Sequence, residues 1–143
     1  WEKLKLKEGK KSVLEGVPRS LPSLVKAYRV QDKVRGVGFD WDHVGQVWEK
    51  VQEELGELQD EVTAPKVNPD RVADEFGDVM FAMINYARFL DVNPDEALER
   101  TTRRFIARFQ HLEQAVSKDG KDLADMDLAE MDVYWDRAKS SLG

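Results

Sequence analysis

The apolar positions of this chain fall into helical stripes separated by glycine, proline and polar turns. The clearest is Val44, Val47, Trp48, Val51, Leu55, Leu58 and Val62, one face of a long helix that Pro65 ends. Before it, Leu24, Ala27, Tyr28 and Val34 predict a helix over 21–35, closed by Gly36 and Gly38. After it, Asn68-Pro69 and Asn93-Pro94 each join a capping side chain to a proline suited to the first helical turn. The first pair opens a helix to about residue 90, with Val72, Phe76, Val79, Met83, Tyr86 and Leu90 on its stripe. The second, with Glu96 three residues beyond the cap, opens a helix carrying Leu98, Thr101, Phe105, Phe109, Leu112 and Val116. Asp127 and Glu130 mark the start of a last helix through Met131, Tyr134, Trp135 and Ala138. Trp48, Phe76, Met80, Met83, Phe105 and Phe109 are all expected in packing.

Strand-like alternation is missing from the pattern, so the expected class is all-α: a four-helix-bundle-like fold with short loops and an additional C-terminal helix. Residues 1–20 read as a basic, extended lead-in and 21–143 as a single helical domain. The abrupt start at Trp1 reads as a piece of something longer.

Composition narrows the function. The chain has 143 residues, with 22 basic against 28 acidic side chains, a net charge of −6, and 41% hydrophobic residues. That is too apolar for a disordered chain, and the apolar runs fall far short of the ~20 residues a membrane-crossing helix needs. The acidic balance argues against non-specific nucleic-acid binding, which draws on lysine and arginine against phosphates. With no cysteine there is no disulfide, thiolate metal site or thiol nucleophile. No secretory leader stands near Trp1, and the expectation is a cytoplasmic protein with neither a membrane nor a nucleic acid as partner.

The acids are not scattered evenly. Stepping 100° per residue from Val51, Glu54, Glu61 and Glu57 fall at about −60°, −80° and −120°, along one margin of the apolar stripe, while Glu53 points to solvent. From Val79, Glu75 falls near −40°, Asp78 near −100° and Asn85 near −120° by the same step. Residues three apart on a helix bring their Cβ atoms within about 5–6 Å, so Glu54 with Glu57 and Glu75 with Asp78 form two acidic pairs. Antiparallel neighbours can set the pairs face to face. Four carboxylates that close stay ionised at low cost only around a cation, and all-oxygen ligands suit magnesium, manganese or calcium. ExxE and ExxD patterns are also ordinary on solvated helices, and on spacing alone the two readings stand side by side. A di-iron site is the competing metal reading, but neither His43 nor His111 completes its Glu-x-x-His pattern.

EELGE at Glu53 to Glu57 followed by EFGD at Glu75 to Asp78 resembles the E-E-x-x-E and E-x-x-D signature of MazG-type nucleoside triphosphate pyrophosphohydrolases. VLEGVPRSLPSLVKAYRVQDKV, VGFDW, NYAR, RRFIARF and EMDVYW resemble further blocks of that family in the same order, most like the C-terminal domain of a two-domain MazG. The resemblance implies a homodimeric, magnesium-dependent hydrolase, with manganese a possible substitute, that cuts a nucleoside triphosphate to the monophosphate and pyrophosphate. The implied metal ligands and catalytic carboxylates are Glu54, Glu57, Glu75 and Asp78, with Glu53 in a supporting role and the general base unassigned.

A polyanionic substrate also needs cationic donors. Arg104 and Arg108 stand four apart, with Arg100 continuing the row, and match basic positions of the family's block. Lys33, Arg29 and Lys139 are further candidates for the triphosphate. Asn85 and Glu61 are candidates for a phosphate or an extra metal contact, and Trp135, Phe39 and Trp41 for stacking on a base. Thr102 and Gly36 depart from the family's usual asparagine and basic residue. The alternative reading is a catalytically silent bundle that serves dimerisation or nucleotide sensing.

Overall fold

A computed structural model describes residues 1–7, 9 and 11–143. Among them run six α-helices, α1 (Glu2–Lys7), α2 (Ser23–Arg35), α3 (Val44–Val62), α4 (Pro69–Phe89), α5 (Pro94–Lys118) and α6 (Leu128–Leu142), with a 3-10 turn at Leu123–Asp125 and no strand. The fold is all-α, with α6 as the additional C-terminal helix. The short helix α1 lies in the stretch expected to be extended, and residues 8 and 10 of that stretch lie outside the described residues. The chain forms two compact units, residues 1–95 and 96–143, and the division falls within the stretch read as one helical domain.

In the first unit α4 packs on both α3 and α2. Val47 and Val51, one turn apart on α3, are fully buried, and Ala82 and Ile84 on α4 are buried nearly as deeply. Each valine removed from water contributes about 1.5–3 kcal/mol, so this small seam fixes the register of the two helices that carry the acids. Their starts are fixed by side chains. Asn68 Oδ1 accepts from the backbone N–H of Asp70 at 3.0 Å, with Pro69 first in α4 as expected. His43 caps α3 in a reciprocal box with Gln46, whose Oε1 accepts from the N–H groups of Asp42 and His43. This gives His43 a structural task where the sequence showed only an ordinary polar residue.

Two glycines are demanded by geometry. Gly38 holds φ +90° in the loop after α2. Gly36, expected to carry a basic side chain in this family, has instead Glu2 against it: a Cβ there would lie 2.6 Å from Glu2 Cγ.

In the second unit Leu112 and Val116 of α5 pack with Tyr134 of α6, bordered by Ala115, Leu123, Met126 and Trp135. Asp127 caps α6 by accepting from Glu130 N–H at 2.9 Å, the pair the sequence marks. Tyr134 donates to Asp119 Oδ2 at 2.7 Å, and this bond, with burial, pushes its phenol pKa up.

The large apolar residues expected in packing are a correction. Trp48, Phe76, Met80, Met83, Phe105 and Phe109 all remain exposed. The stripes on α3 and α4 are wider than the seam one helix offers another, so only their centres are covered. Phe105 does stack beside Phe109 and tilt onto Trp135 at 5.1 Å, but its outer side is open.

Candidate metal centre and adjoining cavity

The 19-residue helix α3 and the 21-residue helix α4 place their acids on facing margins. One oxygen from each of Glu54, Glu75 and Asp78 lies within 4.8 Å of the others, and the same holds for Glu53, Glu54 and Glu57. Glu54 belongs to both groups and is 6% exposed. The two acidic pairs read from the sequence thus converge. Glu61, on the same margin of α3, lies outside both groups.

The electrostatics follow from this crowding. Burial comes first in pushing the Glu75 carboxyl above the usual carboxylate range, followed by the charges of Glu57, Asp78 and Glu54, with Glu57 also hydrogen-bonded to it. Among the described residues, Glu54 Oε2 and Glu75 Oε2 are buried without a hydrogen-bond partner. Carboxylate oxygens in that state are costly unless a cation meets them, and an all-carboxylate set is the chemistry of a hard divalent ion. The residues present fit a divalent cation.

Lys50, one turn before Glu54, escaped the sequence reading. Its ammonium lies 3.0 Å from Glu54 Oε1 and 3.3 Å from Glu53 Oε1, and the bond to Glu54 raises its pKa above the ordinary lysine value. The signal was present, because Lys50 stands at i−3 and i−4 to the two glutamates. Glu53 is exposed as expected and shares this lysine with Glu54.

Beside the carboxylates opens a cavity of about 660 Å³. Lys50, Glu54 and Asp78 form its charged end, and Val30, Val34 and Phe81 are among its apolar walls. Asn85 also lines it, and its Oδ1 accepts from Arg88 Nε at 3.2 Å and Nη2 at 2.8 Å. The Arg88 guanidinium grips Asp40 with both arms, at 2.6 and 3.0 Å. This fork fastens the loop bearing Phe39 and Trp41, both exposed and both lining the cavity, to the C-terminal part of α4. VGFDW and NYAR, far apart in the sequence, are therefore one structural device.

The other expected substrate ligands are placed less closely. Arg29 is exposed on α2, and Lys33 is half-buried with its ammonium 3.5 Å from Glu2. Neither lines the cavity. Arg104 and Arg108 on α5 and Trp135 and Lys139 on α6 belong to the second unit. Arg104 and Lys139 are exposed there, Arg108 and Trp135 half-buried.

Comparison with known proteins agrees with this geometry. Residues 45–113, which include all five acids, match the MazG nucleotide pyrophosphohydrolase domain. The chain is 39% identical over 142 residues to the nucleoside triphosphate pyrophosphohydrolase/pyrophosphatase MazG of Thermotoga maritima, covering 97% of this chain and 54% of that protein. It is 35% identical over 143 residues to a nucleoside triphosphate pyrophosphohydrolase of Escherichia coli K12, with the same two coverages, 97% and 54%. It is also 43% identical over 144 residues to an uncharacterised protein, YabN, of Bacillus subtilis, covering 29% of that protein. The chain thus spans about half, or less, of the length of these relatives. With the family domain lying across α3 and α4 and their acids converging, the chain belongs to the MazG family of nucleotide pyrophosphohydrolase domains.

Proposed function

We propose that this domain hydrolyses nucleoside triphosphates to the monophosphate and pyrophosphate, using magnesium held by Glu54, Glu57, Glu75 and Asp78. The observation that carries the reading is the pair of orphaned buried oxygens, Glu54 Oε2 and Glu75 Oε2, within the acidic cluster. When bound, magnesium supplies charge neutralisation on the phosphates and activation of water. The protein's own part is mostly positional: α3 and α4 fix the four carboxylates, and Lys50 holds Glu54 Oε1 while Oε2 is left without a protein partner. Water adds to the α-phosphorus, the bond from that phosphorus to the bridging oxygen breaks, and pyrophosphate departs with the electron pair. Arg104 and Arg108, on the strength of the family resemblance and their charge, serve this reading as cationic ligands of the triphosphate, and Lys33, Arg29 and Lys139 are further candidates on their charge alone.

A homodimer is part of the same proposal. Val44, Trp48, Leu55 and Val62 on α3, with Phe76, Met80 and Met83 on α4, are between 42% and 55% exposed. Monomeric proteins seldom leave so many large apolar side chains open on adjoining helices, and a second copy of the chain offers a matching apolar face.

The test is turnover of a mixture of triphosphates with magnesium in ¹⁸O-labelled water. Release of pyrophosphate with the label in the monophosphate supports the reading. Orthophosphate release, or label in pyrophosphate, contradicts it, and nucleotide binding without turnover would instead favour the silent, sensing bundle.

A further inference from the structure

The backbone does not require glycine at position 36. Gly36 sits at φ −58° and ψ −22°, an ordinary right-handed conformation open to any residue. What excludes a side chain is Glu2 of α1: a Cβ at Gly36 would meet Glu2 Cγ at 2.6 Å and Glu2 Cβ at 2.9 Å. Two positions on, the Cβ site of Gly38 lies 3.9 Å from Lys3 Nζ. The Glu2 carboxylate also reaches Lys33 Nζ at 3.5 Å, with both side chains only 14% exposed. So α1 is seated on the last turn of α2 and against the start of the loop that brings Phe39 and Trp41 to the cavity. Its own helix depends on that seat, because α1 has six residues and isolated helices shorter than about 12–15 residues are marginal in water. Helix α2 is held independently of α1: Gln31 is buried, and its Nε2 donates to the backbone oxygen of Phe81 on α4 at 2.9 Å. The loop that follows is gripped at Asp40 by Arg88 and backed at Gly36 and Gly38 by α1.

We propose that α1 is a strap that positions this loop. Seated through Glu2 on Gly36 and Lys33, it holds Gly38 to Trp41 where they wall the cavity, and when it leaves the seat the loop relaxes. Glu2 and Gly36 are then positioning residues: they act on the site through the loop and line none of the cavity themselves. The strap has two states of different order, a docked helix and an undocked coil, so anything that engages α1 in its undocked form loosens the loop. The effect on turnover rests on the hydrolase reading above, whereas the seat of α1 and its hold on the loop do not.

The experiment compares Gly36→Ala, Glu2→Gly and the two together, first by ¹⁵N–¹H spectra of the full chain without nucleotide. Alanine suits the backbone at position 36, so the expected damage comes from its methyl group striking Glu2. In Gly36→Ala the amides of α1 move towards coil positions, and those of Phe39, Asp40 and Trp41 shift with them. Glu2→Gly removes both atoms that the methyl group would strike and frees α1 by itself. Adding Gly36→Ala to it is expected to move Phe39, Asp40 and Trp41 no further. An α1 that stays put in Gly36→Ala, a loop that stays put while α1 leaves, or a second substitution that adds its full effect overturns the proposal. The second readout is kinetic. With a triphosphate and magnesium, Gly36→Ala is expected to raise KM by about three- to tenfold, as when the loop is in place in only a tenth to a third of the molecules. Its kcat should change by less than about twofold, because the carboxylates of α3 and α4 are untouched. A fall in kcat at unchanged KM, or no kinetic change in a protein whose wild type turns over, overturns the positioning role. If the wild type hydrolyses no triphosphate while the spectra behave as described, the hydrolase reading fails and the strap stands.

Discussion

Lys50 Nζ lies 3.0 Å from Glu54 Oε1, while Glu54 Oε2 is buried with no hydrogen-bond partner among the described residues. One glutamate therefore divides its two oxygens between a protein cation and the space enclosed by the other acids. Lys50 is the built-in counter-charge of the cluster, set against the nearly buried Glu54 side chain beside Glu75 and Asp78.

Replacing that ammonium by the similar but neutral side chain of Lys50→Met leaves Glu54 facing only like charges. Without divalent ions the variant is expected to lose about 1 kcal/mol of stability, the upper part of the range for a partly exposed ion pair. Added magnesium should restore most of that loss by taking over the counter-charge. Urea denaturation with and without magnesium checks both points, and a loss that magnesium leaves untouched would show that Lys50 acts elsewhere.

Glu75 sets a pH dependence whose sign is fixed by its environment. Its pKa in the folded protein is raised above the ordinary 4.5, chiefly by burial and then by Glu57, Asp78 and Glu54. Folding thus favours the protonated form. The stabilisation is fully present below the unfolded value and is lost as pH rises through the raised one. In metal-free protein, wild type should weaken relative to Glu75→Gln between about pH 4.5 and neutrality. Thermal melts of the two proteins across that window measure the gap. A gap that does not change with pH would contradict the crowding seen at this carboxyl.

The exposed stripes on α3 and α4 predict self-association. Sedimentation should find wild-type protein at twice the chain mass. Met80→Glu, which puts a charge on a half-exposed apolar position, should shift it towards monomer with its helix content unchanged. A wild-type monomer whose behaviour is unaltered by the substitution would remove the homodimer from the proposal.

The helices were legible because their signals are local. Val44 to Val62 repeats at one period, and Asn68-Pro69 and Asp127 with Glu130 announce caps that the structure forms. The acidic cluster was legible for the same reason, since angles around two neighbouring helices already place Glu54, Glu57, Glu75 and Asp78 on facing margins. What escaped depends on contacts distant in sequence or on the width of a face. Arg88 gripping Asp40 joins residues 48 apart, and nothing in NYAR or VGFDW alone reveals it. Gln31 did leave a mark, standing three residues after Tyr28 and three before Val34 as a polar residue within an apolar stripe. Periodicity identified Trp48, Phe76 and Met80 as members of a stripe, but it carries no information on how far a single neighbour covers that stripe.

Calorimetric titration of magnesium into the metal-free protein, with Asp78→Asn alongside, bears most directly on whether the acids of α3 and α4 form an ion site. The wild type should take up the ion, and Asp78→Asn, with its helical spectrum unchanged, should bind at least about tenfold more weakly for loss of one ligand charge. No uptake by the wild type, or equal affinity in the two proteins, would contradict it.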